Sequence, residues 1–131
     1  MAFHKFRADQ LFDGYRLLDD QHVLITTGEG VVEDIVDIVD AGDDVKSLKG
    51  ILSPGFINCH CHLELSHMKG YIPERTGLTK FVTQVIKDRH FAETEILAEI
   101  EKAENEMLSG GIVAVGDICN NTLTIPQKIK G

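Results

Sequence analysis

Gly50-Ile51-Leu52-Ser53-Pro54-Gly55-Phe56-Ile57-Asn58-Cys59-His60-Cys61-His62-Leu63-Glu64 is the stretch on which the reading of this chain turns. Ser53-Pro54-Gly55 closes whatever precedes it, and the run from Phe56 then reads as a short strand. Extended, it sets Ile57, Cys59, Cys61 and Leu63 on one face and Asn58, His60, His62 and Glu64 on the other. His60 and His62 therefore point alike, within reach of one cation, and neutral imidazole suits zinc, iron or a similar transition metal. The plainer alternative is a chance His-x-His that serves packing or surface hydrogen bonding. A mixed site that also uses Cys59 and Cys61 competes, but alternation turns the thiols toward covering helices, where small buried thiols act as apolar packing.

Downstream, Leu65 to Gly77 is irregular, with Gly70, Pro73 and Gly77 marking loops that could fold over a ligand. Apolar residues at Leu78, Phe81, Val82, Val85 and Ile86 give helical spacing from Leu78 to Arg89, with Thr79 near its start. Ile96, Leu97, Ile100, Ala103, Met107 and Leu108 give a second helix over Thr94 to Leu108, and Gly110-Gly111 follows where a helix end wants glycine. Ile112 to Val115, followed by Gly116-Asp117-Ile118-Cys119-Asn120, reads as a strand buried on both faces. Strand, helices, strand is a βαβ crossover. It places the histidine pair at the C-terminal end of a parallel strand, where active-site residues gather.

Three further side chains are candidates for substrate binding or for supporting the metal ligands. Glu64 is in phase with the histidines if the strand continues, and could fix an imidazole tautomer; the alternative is a solvated loop acid. His67 follows in the loop, where a lone histidine is otherwise an exposed one. Asp117 ends the second strand near the same rim, where it orients a ligand or accepts backbone hydrogen bonds at the turn. His4, His22 and His90 lie in polar or terminal surroundings and read as surface.

Upstream, Gln10 to Phe12, Val23 to Thr26 and Val31 to Val39 are strand-like and separated by Asp13-Gly14 and Gly28-Glu29-Gly30, the marks of a small, mostly antiparallel β unit. Asp40 to Lys49 is polar and reads as a loop. The division expected is residues 1–53 as this β unit and residues 54–131 as the α/β part, with Asn121 to Gly131 too short for another unit.

Composition bounds the rest. The chain has 131 residues, 43% hydrophobic and 26% charged, as a soluble globular protein would. Thirteen basic against twenty-one acidic residues leave a net charge of -8, which repels phosphate backbones and anionic lipids, so neither nucleic acid nor membrane is an expected partner. No apolar run approaches the roughly 20 residues of a membrane span and the start lacks a secretory core, so a cytoplasmic protein is expected. Three cysteines, an odd number, with two of them two residues apart, do not make a disulfide framework.

The segment from Gly50 to Ser66 resembles the first-strand signature of the amidohydrolase superfamily, Pro-Gly-Phe-(Ile/Val)-(Asn/Asp)-x-His-x-His. The following Leu63-Glu64 is similar to the branch of cytosine and guanine deaminases and chlorohydrolases, including aminofutalosine deaminases. Ala8 to Gly14 and Val31 to Val39 resemble the β unit placed before the barrel in such enzymes, and Gly111 to Asp117 resembles their second barrel strand. The resemblance implies an α/β protein: a small N-terminal antiparallel β unit, then the first two β/α units of an incomplete (β/α)8 barrel. It implies one divalent metal ion, zinc or iron, with His60 and His62 among its ligands, and hydrolysis of a non-peptide carbon–nitrogen bond. The narrower implication is deamination of a nucleobase- or purine-related small molecule. A full barrel needs roughly 250 residues. The remaining ligands and the general acid/base are therefore expected beyond Gly131, and the chain alone is expected to be an inactive fragment. The competing expectation is a small non-catalytic metal-binding or interaction protein that uses the βαβ unit, with a homo-oligomer left open.

Overall fold

Short alternating runs punctuated by Asp-Gly and Gly-x-Gly turns give strands near Gln10, Val23 and Val31, and a computed structural model, which describes residues 2–130, carries them in a first unit that ends at Pro54. Its strands are β1 (Phe3–Arg7), β2 (Gln10–Phe12), β3 (Leu17–Leu18), β4 (His22–Thr27), β5 (Val32–Asp37), β6 (Val45–Ser47) and β7 (Ile51–Leu52). They form a sheet of order β5-β4-β1-β6 and a second of order β3-β2-β7. The Asp13 carboxylate closes the β2–β3 turn by accepting the N–H groups of Tyr15 and Arg16, each at 2.7 Å. Ala8, Leu11, Val23 and Ala41 are the buried apolar side chains of this unit.

One expectation changes here. Asp40 to Lys49 is not all loop, because Val45–Ser47 pairs with β1. The unit is mostly antiparallel as expected, through β1–β4, β4–β5 and β2–β3, but not wholly so, since β1–β6 and β2–β7 are parallel. The late strands cover edges of β1 and β2 whose N–H and C=O groups would otherwise lack ladder partners, a long-range effect that local polarity does not reveal.

The second unit begins at Gly55. β8 (Phe56–Cys61) leads through His62 into a 3-10 turn (Leu63–Met68), then come α1 (Leu78–Asp88), α2 (Glu93–Ser109), β9 (Ile112–Asp117) and α3 (Ile125–Lys130). β8 and β9 are parallel neighbours, as a βαβ crossover requires. α2 ends where Gly111 takes φ 82°, a left-handed conformation that glycine adopts without strain. The core is small: Leu63, Met68 and Ile100 are buried, together with Glu64 and Thr124.

Several finer expectations are overturned. Glu64 does not extend the strand, since β8 stops at Cys61 and the 3-10 turn has begun by Leu63. The start of α1 is as expected, with Thr79 its second residue, although Gly77 precedes it with no side-chain cap. β9 is not buried on both faces, Val113 being 66% exposed. Cys59 is exposed rather than packed beneath helices. The tail beyond Asn121 contains α3, anchored by Lys128 to Asp117.

Candidate functional site

β8 carries His60 in its last turn of pleat and delivers His62 immediately beyond its end, with φ -133° and ψ 74°. The two rings stand 5.2 Å apart between centroids and are inclined by 73°. A ring whose nitrogen binds an ion at about 2.1 Å has its centre about 3.2 Å from that ion, so two rings at a tetrahedral angle sit about 5 Å apart. The spacing found suits a shared cation. His62 Nδ1 lies 2.8 Å from the carbonyl oxygen of Ile118. A carbonyl only accepts, so Nδ1 bears the proton and the Nε2 lone pair remains for a ligand, the arrangement in which a carbonyl orients a metal-binding imidazole. Among the described residues, no three His, Cys, Asp or Glu side chains gather in metal-binding geometry, so the pair supplies two positions and no more.

β8 does not reach the histidines by regular pleating. Asn58 pairs with Val115 and Cys61 with Asp117, so β8 has one more residue than β9 in that interval. Asn58 Oδ1 accepts the N–H of His60 at 3.2 Å. Asn58 faces α2, its Nδ2 3.9 Å from Met107 Sδ, while His60 is exposed. The regular alternation expected along this run is thus broken by the bulge between Asn58 and Cys61.

The other three candidates are each held by partners other than His60 and His62. Glu64 is 1% exposed and accepts from four donors: Arg89 Nη2 at 3.0 Å, Asn120 Nδ2 at 2.7 Å, and the N–H groups of Asn120 and Asn121 at 2.9 and 3.1 Å. Burial pushes its carboxyl up, but the Asn120 bonds and the Arg89 charge outweigh that and hold it below the ordinary range. Asp117 takes the Leu63 N–H at 2.9 Å on one oxygen, and Lys128 Nζ at 2.5 Å and Cys119 Sγ at 3.0 Å on the other. Its burial is likewise outweighed by those bonds, leaving a pKa of about 2. His67 is half-buried rather than exposed. Its ring packs against Phe91, centroids 4.7 Å apart and planes inclined by 60°, and donates from Nε2 to the Arg89 carbonyl at 3.2 Å. Its Nδ1 is buried without a partner among the described residues. Glu64, His67, Arg89 and Phe91 also border an open pocket of about 500 Å³.

Residue-by-residue reading missed Arg89, Asn120, Asn121 and the Ile118 carbonyl, which meet Glu64 and His62 only through the crossover. Asn58 and Gly116 carried a local signal, an amide side chain two residues before a histidine and a glycine inside a β-branched run.

Solved structures share this architecture. An amidohydrolase from Brucella melitensis matches with TM-score 0.67 and 19% identity over 88% of this chain. A triazine hydrolase from Arthobacter aurescens matches with TM-score 0.69 and 21% identity over 99% of the chain. The chain shares the fold of part of each of these two proteins. An ochratoxinase from A. niger is similar as well, with TM-score 0.61 and 14% identity over 98% of this chain. The chain spans 26%, 34% and 28% of the lengths of those three proteins. No protein-family model matches the chain, and no curated protein does. No helix among the described residues is long and apolar enough to cross a membrane.

Proposed function

We propose that this chain forms part of a metal-dependent hydrolase of the amidohydrolase superfamily that cleaves carbon–nitrogen bonds other than peptide bonds. The narrower reading is an aminohydrolase that releases ammonia from a nucleobase- or purine-related small molecule. The observation that carries the proposal is the pair of adjacent imidazoles at the C-terminal end of a parallel strand, in a fold shared with known amidohydrolases. His60 and His62 are the residues that would hold a divalent ion, zinc or iron. Such an ion, when bound, lowers the pKa of its water toward about 7 and so supplies a nucleophile at neutral pH. Ile118 holds the His62 tautomer. Glu64 and Asp117, saturated by donors, suit a framing role better than proton transfer.

The chain titrated with Zn²⁺ is expected to bind about one ion, and His60→Ala and His62→Ala each to weaken binding by more than about tenfold. Unchanged affinity in both variants would remove the basis of the proposal. For the narrower reading, a protein that contains this chain should release ammonia from aminopurines, and His62→Ala should abolish it; hydrolysis confined to other ring systems would move the substrate class. A second reading, a non-catalytic metal-binding or interaction protein, draws on the absence of a third donor beside the pair among the described residues. Zinc binding without hydrolysis in any longer form of the protein would favour it.

A further inference from the structure

Regular pleating puts residues three apart on opposite faces of a strand. Asn58 and Cys61 break that rule: Asn58 touches Met107 of α2, and Cys61 borders the same Met107, with Ala103, in one pocket. The alternation slips once between them, at the extra residue that β8 carries against β9. A bulge leaves an N–H without its ladder partner. Here the N–H of His60 is taken by Asn58 Oδ1 instead, a local side-chain bond of the kind that competes with sheet pairing. Across the ladder, a Cβ on Gly116 would lie 2.6 Å from the Cys59 carbonyl oxygen, so the bulged backbone leans on β9 where only glycine admits it.

We propose that Asn58 is a positioning residue: its amide oxygen clamps the His60 backbone, fixes the bulge, and so sets the His60 imidazole beside that of His62 as a preformed pair for a divalent cation. The proposal rests on the metal-binding reading above. Asparagine suits the task because its oxygen is an acceptor while its NH₂ group rests against the Met107 thioether. Alanine lacks the acceptor. Aspartate keeps it.

The test uses the full chain and Co²⁺ alone, followed by visible absorption and calorimetry, with far-UV circular dichroism to verify folding. Asn58→Ala is expected to weaken Co²⁺ binding by on the order of tenfold, as loss of an orienting partner does at metal sites, and Asn58→Asp to restore it. The His60 amide is expected to exchange slowly in the parent chain and in Asn58→Asp, and freely in Asn58→Ala. Full affinity in a folded Asn58→Ala, or no recovery in Asn58→Asp, overturns the positioning role. If Asn58→Ala does not fold, the decision passes to the other two measurements: free exchange of the His60 amide in the parent, or weak binding by a folded Asn58→Asp, overturns it. Binding unaffected by His60→Ala would instead sink the metal-binding reading itself, so the two failures are distinguishable.

Discussion

Asp117 shows how one side chain can tie together segments that are distant in sequence. Its carboxylate is 1% exposed and joins the turn after β8, through the Leu63 N–H, to α3, through Lys128. Because the folded pKa of about 2 lies below the ordinary 3.8, the group stabilises the fold fully above pH 4, and that contribution is lost as pH falls through 2. The shift corresponds to about 2 kcal/mol. Asp117→Asn is therefore expected to lower stability by about that amount at pH 7, measured by urea unfolding, and the gap between variant and parent should narrow between pH 4 and pH 2. A constant gap across that range would assign the loss to packing instead. The position of Asp117 at the rim was legible from sequence, whereas its partner was not: Lys128 sits in a segment read as a tail, and only the fold of α3 brings it within 2.5 Å.

At the scale of elements, the helices and both strands of the βαβ unit follow from periodicity, and their observed bounds fall within a residue or two of those read from it. What periodicity could not supply was the offset between β8 and β9. Hydrophobic alternation specifies a face only while pairing stays regular, and one inserted residue reverses it. Gly116 is the element of β9 that tolerates the insertion, since a Cβ there would meet the Cys59 carbonyl oxygen at 2.6 Å and its carbon at 3.0 Å. The obstacle is backbone on a paired strand and cannot rotate away. Gly116→Ala is thus expected to destabilise the chain by about 1 to 3 kcal/mol, as overpacking does, and to weaken Zn²⁺ binding with it. Thermal unfolding and calorimetry on the one variant test both. A variant as stable as the parent would mean that the Cys59 backbone does not press on β9 at Gly116. The same long-range logic explains why Glu64 was read in phase with the histidines: the strand ends early because the turn that follows directs its carboxylate to Arg89, Asn120 and Asn121, contacts with sequence separations that no local pattern encodes.

For the molecule as a whole, the second unit buries few apolar side chains and displays many. Ile57, Val113, Leu78 and Ile86 are each more than half exposed, and β8 and β9 form a sheet of only two strands. Such surfaces are driven to find cover, either from other parts of a longer protein or from further copies. Against this stands a net charge of -8, which keeps like chains apart. Burial of a single isoleucine contributes about 1.5 to 3 kcal/mol, enough for tenfold or more in an association constant. The isolated chain is accordingly expected to self-associate as its concentration rises, in sedimentation velocity at fixed ionic strength. The double substitution Ile57→Lys and Ile86→Lys should weaken that association by at least about tenfold. The two added positive charges reduce the net charge and with it the mutual repulsion, so electrostatics alone would strengthen association. A weaker association in the variant therefore identifies apolar burial as the driving force, whereas a stronger one would show that charge governs and that these exposed side chains are not what the molecule needs to cover.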